Sequence, residues 1–252
     1  MSSKDEDTFC KQMRKATREV HKISDTLVNA KLAFGFFDDS VWADGLLVFY
    51  EIFRYLECAM VRLKNTNVGL FFHDELCRTE AFKQDLDFYL GKEWTNDYTP
   101  RYSVAKYLMH LQEIENKDPT LLIAYIYHLY MGLLSGGIIL RKKRQLMQKI
   151  LPQKDSETNG NNVTSFANSN IYELKHQMRD TMNKIAETLD DDTKNKLIEE
   201  SKMVFALNNE IIKSVRSVGT PFLKKVACFI VIPTFYISFK KFTIFKIIRC
   251  LI

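Results

Sequence analysis

The chain of 252 residues is 46% apolar and 27% charged, with 9 Gly, 5 Pro and 5 Cys. That balance is too apolar for a disordered chain, too poor in Gly and Pro for a fibre, and too poor in cysteine for a disulfide scaffold. The net charge of +5 sits in one place: eight cations and no acid follow Glu210, and subtracting them leaves residues 1–210 at −3, which argues against a basic nucleic-acid-binding domain.

No cysteine pair has C-x-x-C spacing and the five histidines (21, 73, 110, 128, 176) are scattered, so a structural zinc site is not expected. The opening MSSKDEDTF is polar and carries three acids, which is not the pattern of a secretory leader. A reducing, cytosolic setting follows as the expectation.

In chain order the pattern is helical. Thr8 is placed to cap a first helix with Phe9, Met13, Ala16, Val20 and Ile23 as its stripe. Ser40 is placed to cap a second, striped by Trp42, Leu46, Phe49, Phe53, Leu56 and Met60. Short helices are expected up to Gly91, and Val104, Leu108, Leu111 and Ile114 mark the next one. Asp118 followed by Pro119 is a helix start, and from there a single long helix is expected to run to Pro152. A polar loop of about 20 residues follows, holding an N-x-T at Asn162 and Thr164. Two more helices carry Ile171, Leu174, Met178, Met182 and Ile185, then Leu197, Ser201, Val204, Phe205, Asn208 and Ile211. No alternating run suggests a sheet, so the expected architecture is all-α, a single domain over 1–219.

The remaining segment, 220–252, is a separate element. Its apolar stretch from Val226 to Phe239 is 14 residues long and contains Pro233, short of the roughly 20 needed to span a bilayer. With Lys240, Lys241, Lys246 and Arg249 beyond it, it reads as a membrane anchor that inserts with snorkelling lysines or lies on anionic lipid.

Two stripes point to chemistry. Arg14, Arg18 and His21 are spaced four and three on one helical face, and Asp25 follows His21 by four. An imidazole can ligate a metal while guanidiniums pair with carboxylates, and Asp25 can fix the tautomer; a plain solvated basic face has the same spacing. In YMGLLSGGIIL, Gly132, Gly136 and Gly137 each cost a helix about 1 kcal/mol against Ala. They fit either a backbone approaching a flat ligand or close helix packing. GxGxxG and P-loop spacing are absent.

Taken together, ATREVHK around His21, YMGLLSGGIIL, and IEESKMVFALNN at 198–209 resemble the heme oxygenases of animals, in family order over roughly residues 9–215. The resemblance implies a multi-helix fold clamping heme b between a proximal and a distal helix. It makes His21 the iron ligand, with Asp25 as its acidic partner. It assigns Arg14, Arg18, Tyr127, Lys175, Arg179 and Phe205 to heme binding, and Gly132, Ser135, Gly136, Gly137, Tyr107 and Asn208 to the catalytic distal face. It also implies oxidative cleavage of heme to biliverdin, CO and ferrous iron with O2 and NADPH-derived electrons. The implied partners are an NADPH-dependent cytochrome reductase and biliverdin reductase, on the cytosolic face of the endoplasmic reticulum membrane.

Three positions depart from the family. The distal aspartate that organises water is Leu133, the arginine four residues earlier is Leu129, and a second-helix tyrosine is Phe53. A leucine cannot orient water or deliver a proton. The alternative implied is a heme-binding or heme-sensing protein with weak turnover, and His128 is the next iron-ligand candidate should His21 not serve.

Overall fold

The computed structural model describes residues 8–35, 38–150, 160–166 and 169–216. Among them it contains helices and no strand. Residues Met1–Arg216 form one compact unit. The expected anchor at 220–252 lies outside the described residues.

The first expected helix is two. The segments α1 (Phe9–Ala16) and α2 (Arg18–Gly35) meet at Thr17, whose hydroxyl donates back to the Met13 carbonyl at 2.9 Å, and the helix resumes as the His21 amide takes the Thr17 carbonyl. Thr8 caps α1 through its backbone carbonyl rather than its side chain. Helix α3 (Asp39–Arg62) is capped by Asp38, which accepts from the Ser40 amide and hydroxyl at 2.9 and 2.7 Å. The cap expected at Ser40 therefore moves two residues upstream, because an aspartate accepts from both donors at once.

Helix α4 (Thr79–Leu90) ends at Gly91, whose φ of +86° only glycine adopts without strain. Its amino terminus rests on the buried carboxylate of Glu57, which accepts from the Arg78 amide and the Thr79 hydroxyl, each at 2.5 Å. A negative charge there satisfies orphan N–H groups and the helix dipole together. Helix α5 (Tyr102–Lys117) is followed by a 3-10 turn opened by Asp118 and Pro119, as the sequence suggests.

The expected single long helix is interrupted. It runs as α6 (Leu122–Gly132), then one π-helical turn over Leu133–Gly137, then α7 (Ile138–Ile150). Helix α6 is buried almost all round from Leu122 to Tyr127, as a helix apolar on every face must be. Helix α7 is held by Arg144, a buried guanidinium paired with Asp39 and lying over the Trp42 ring at 4.7 Å.

The described part of the expected loop is packed, not merely polar. Asp85 of α4 accepts from the Asn162 amide and side chain at 2.8 Å and from the Val163 amide at 2.9 Å, and Val163 and Thr164 are buried. Helices α8 (Ile171–Thr188) and α9 (Asp191–Ser214), capped by Asn170 and Asp190, complete the unit. Helix α9 packs on both α2 and α6 and so fixes the distance between the two segments that carry the chemistry.

Candidate heme site

The wall formed by α2 is polar and open. His21 Nδ1 lies 3.0 Å from Asp25 Oδ2, and both side chains are more than half exposed, at 54% and 62%. With Nδ1–H donated to the carboxylate, Nε2 keeps its lone pair and is able to ligate a metal. The His21 ring meets the Phe205 ring of α9 edge-on at 5.3 Å. Two further contacts lock α2 onto α9: Ser24 donates to Asn209 Oδ1 at 2.8 Å, and Lys31 donates to the Val215 carbonyl at 2.8 Å. His21 is thus held against α9 on one side while more than half of its side chain faces solvent.

The cations follow the same logic. Arg14 and Arg18 are exposed and Lys175 and Arg179 on α8 are half-buried, and none of the four has a carboxylate partner among the described residues. Arg14 of α1 and Arg179 of α8 both lie close enough to act on the Tyr127 hydroxyl of α6. Burial raises the Tyr127 pKa, with Cys10 beside it. Three helices thereby bring cations and a phenol hydroxyl to one end of the site, a donor set matched to carboxylates.

The opposite wall is the glycine turn. A Cβ added to Gly132 or Gly136 would meet nothing within 4 Å, whereas one on Gly137 would sit 2.9 Å from Leu133 Cδ1 and 3.5 Å from Thr164 Cγ2. The three glycines divide between the two uses the sequence left open. Gly137 is a packing glycine; Gly132 and Gly136 present bare backbone to open space. The π turn widens the helix where they lie, and π turns concentrate at functional sites. Ser135 is exposed on the same turn.

The residues that replace the family's polar network lie apart. Phe53 is buried against Phe82 and Tyr130, at 5.1 Å from each ring. Leu129 is buried, and Leu133 is half-buried against Gly137. Tyr107 is fully buried and donates to Asn208 Oδ1 at 3.2 Å; no described residue accepts from the Asn208 amide N–H groups. Burial keeps the Tyr107 hydroxyl protonated.

Two groups escaped the sequence reading, and a third, His128, was read there only as a reserve iron ligand. Behind Tyr107, His110 Nε2 lies 2.7 Å from the Tyr125 hydroxyl and 3.0 Å from Glu200 Oε2, and Tyr125 donates to Glu200 at 2.5 Å. Burial works to raise the Glu200 pKa, but those two hydrogen bonds outweigh it and leave it lowered. Thr164 braces Gly137 from a loop with no periodic signal. His128 places its ring 5.2 Å from the other side chain that matters, Phe205, and burial together with the charge of His21 pulls its pKa down to about 3.

A flat, anionic macrocycle fits this arrangement: an aimed imidazole on one wall, bare glycine backbone on the other, and cations without partners at one end.

Comparison with known proteins agrees with the geometry. The heme oxygenase family profile matches residues 7–214. The chain is 32% identical to heme oxygenase 1 of Homo sapiens over 219 residues, covering 82% of this chain and 72% of that protein. It is 27% identical to the heme oxygenase of Rhodella violacea over 225 residues, covering 87% and 90%. Among solved structures, heme oxygenase 2 from Chlamydomonas reinhardtii without heme superposes with a TM-score of 0.75 at 27% identity, covering 85% of this chain and 100% of that one. Heme oxygenase-2 from Synechocystis, in complex with heme and NO, gives 0.73 at 25% identity, covering 83% and 85%. The chain belongs to the heme oxygenase family.

Proposed function

We propose that this heme-degrading enzyme opens heme to biliverdin, CO and ferrous iron, using O2 and electrons that an NADPH-dependent cytochrome reductase delivers. The observation that carries this reading is the free His21 Nε2, with Nδ1 held by Asp25 at 3.0 Å, set against the bare glycines of the π turn. Bound heme supplies the iron redox chemistry and is itself the ring that is cut. His21 holds the iron. Arg14, Arg18, Lys175 and Arg179 bind the propionate carboxylates and set the rotation of the ring in its plane. Gly132 and Gly136 admit the macrocycle close to the helix backbone, so the wall decides which ring edge is exposed to attack. Asn208, backed by Tyr107, has free donors with which to hold water. Leu133 takes no part in handling protons.

The test is product identification from one equivalent of heme with reductase, NADPH and catalase. A biliverdin band with CO release supports the enzyme; a heme spectrum that persists supports the weak-turnover binder, the reading Leu133 favours.

We infer further that residues 220–252 hold the enzyme on the cytosolic face of the endoplasmic reticulum membrane, with biliverdin reductase as a partner for its product. Support comes from the eight cations after Glu210, and from the compact unit and family match ending at Arg216 and residue 214. Deleting 220–252 is expected to move the protein into the soluble fraction with heme binding intact, measured by fractionation and heme titration. Aggregation or loss of heme binding would place the segment in the core.

A further inference from the structure

One side of α4 is given over to a loop. Arg78 just before the helix, and Asp85 and Tyr89 on it, are spaced seven and four, so they project along one side. Each grips the loop 160–166 at a different point. Arg78 Nη1 donates to the Ser165 carbonyl at 2.9 Å, and its guanidinium lies over the Phe166 ring at 4.3 Å. The Tyr89 hydroxyl donates to the Gly160 carbonyl at 2.9 Å. Asp85, only 1% exposed, takes the middle: Oδ1 accepts from the backbone and side-chain N–H groups of Asn162, and Oδ2 accepts from the Val163 amide. Loops ordinarily stay on the surface, where water satisfies their backbone. Here a buried carboxylate, which is costly to desolvate, is matched with three donors to bring one inside.

The loop passes that grip on to the glycine wall. Its 3-10 turn, Asn162–Thr164, packs on the π turn. A Cβ on Gly137 would lie 3.5 Å from the Thr164 methyl and 2.9 Å from Leu133 Cδ1, so the glycine is enclosed between the loop and the first residue of its own turn. Arg144 on α7 donates to the Tyr89 hydroxyl at 3.2 Å, so α4 also reaches the helix that leaves the turn. Gly132 and Gly136 present bare backbone and have no side chains with which to place themselves. The position of the wall is therefore set from behind.

We propose that Asp85 is a positioning residue for ring opening: through Asn162, Val163 and Thr164 it fixes how far the glycine turn leans over the macrocycle, and so which ring edge is cut. The proposal rests on the heme reading above. Asp85 acts through the loop and not on the ligand. Asp85→Asn keeps the shape of the side chain but leaves one acceptor oxygen and places an NH2 group among three donors.

The experiment compares the wild type with Asp85→Asn, Thr164→Ser and Thr164→Val, each as the full chain. Amide hydrogen exchange of the apoprotein is followed by mass spectrometry, and biliverdin isomers are separated after a single turnover with reductase, NADPH and catalase. Asp85→Asn is expected to raise exchange over residues 133–141 by about tenfold, the scale of one lost hydrogen bond. It should leave α2 and α9 as protected as in the wild type and change the isomer ratio. Thr164→Ser, which removes the methyl, is expected to move both readouts the same way by less. Thr164→Val, which keeps it, is expected to retain the protection of the turn. Exchange that rises equally in every helix would overturn the proposal while the heme reading stands, as would an isomer ratio that stays fixed once the turn has loosened. Should Asp85→Asn not fold, the two Thr164 variants decide by the same criteria. A wild type that opens no heme would overturn the heme reading and the specificity role of Asp85 with it.

Discussion

The two walls of the site are built by opposite means. The α2 wall positions charged groups near the surface: an imidazole–carboxylate pair and arginines without protein partners, oriented because α2 is bolted to α9 by Ser24, Lys31 and Phe205. The glycine wall positions an absence of side chains. Its shape comes from a π turn braced by Thr164 and from a buried arginine pinning α7. The difference teaches that ligand affinity and ligand chemistry are separable here. The charged wall carries the groups proposed to bind, whereas the bare wall has Leu133 where the family resemblance implies a carboxylate that would manage protons.

The largest expected effect comes from breaking the charged wall. His21→Ala removes the nitrogen proposed to hold the iron and should abolish most turnover, with added imidazole restoring part of it. Spectra and single-turnover rates of the ferric complex check this. An unchanged spectrum and rate would transfer the proximal role away from α2.

The bare wall breaks differently. Gly132 has ordinary helical angles, φ −62° and ψ −46°, and a Cβ there meets nothing. Gly132→Ala should therefore raise apoprotein stability by up to about 1 kcal/mol while weakening heme affinity, a pair of opposite signs readable by thermal melts and hemin titration. Gly137→Ala should gain less stability than Gly132→Ala, because its Cβ comes within 2.9 Å of Leu133 Cδ1, a side-chain tip that has to turn aside, while affinity changes less. If both variants lose stability and affinity together, the division of the glycines into packing and ligand-facing roles is wrong.

That division shows what a sequence can and cannot disclose. Helix existence is legible because a 3.6-residue period survives in most segments, and Asp118–Pro119 marks a start that the structure keeps. The break at Gly132–Gly137 is not legible, because periodicity cannot distinguish a normal turn from a wider one. Asp38 displaces Ser40 as a cap for want of one acceptor more. The loop around Asn162 reads as polar because its partner, Asp85, lies 77 positions away. On the α2 wall the site is a local spacing, visible as Arg14, Arg18, His21 and Asp25. Phe205 is named only by the family resemblance, and its contact with His128 forms when α6 and α9 pack, which no local pattern records.

Restoring the missing group sharpens the comparison. Leu133 is half-buried, so Leu133→Asp places a carboxylate on the bare wall with partial access to water. The rate of heme loss in a single turnover should rise if the amide of Asn208 and the hydroxyl behind it hold water beside the new group. Burial opposes this by raising the carboxyl pKa. An unchanged rate and product-isomer pattern in a stably folded variant would mean that protons arrive by another route.

The smallest expected effect is a slope. In the apoprotein His128 titrates near pH 3, against an ordinary value of about 6.5, because burial and then the charge of His21 disfavour its cation. Between those two pH values the unfolded chain binds a proton that the folded chain refuses, so folding stability must fall as pH drops. The loss approaches about 1.4 kcal/mol per pH unit at its steepest for one group. Above pH 6.5 the histidine is neutral in both states and contributes no slope. The Glu200 carboxyl acts in the same direction but over a lower window: its pKa lies below the ordinary carboxylate value, so its contribution disappears only as pH falls through and below that value. His128→Gln should therefore flatten the stability profile of the apoprotein between about pH 6.5 and pH 3, leaving at the acidic end only the slope that the carboxylates contribute, measured by denaturant titration at successive pH values. A profile as steep in His128→Gln as in the wild type would mean that the imidazole is hydrated and no longer shielded behind Phe205.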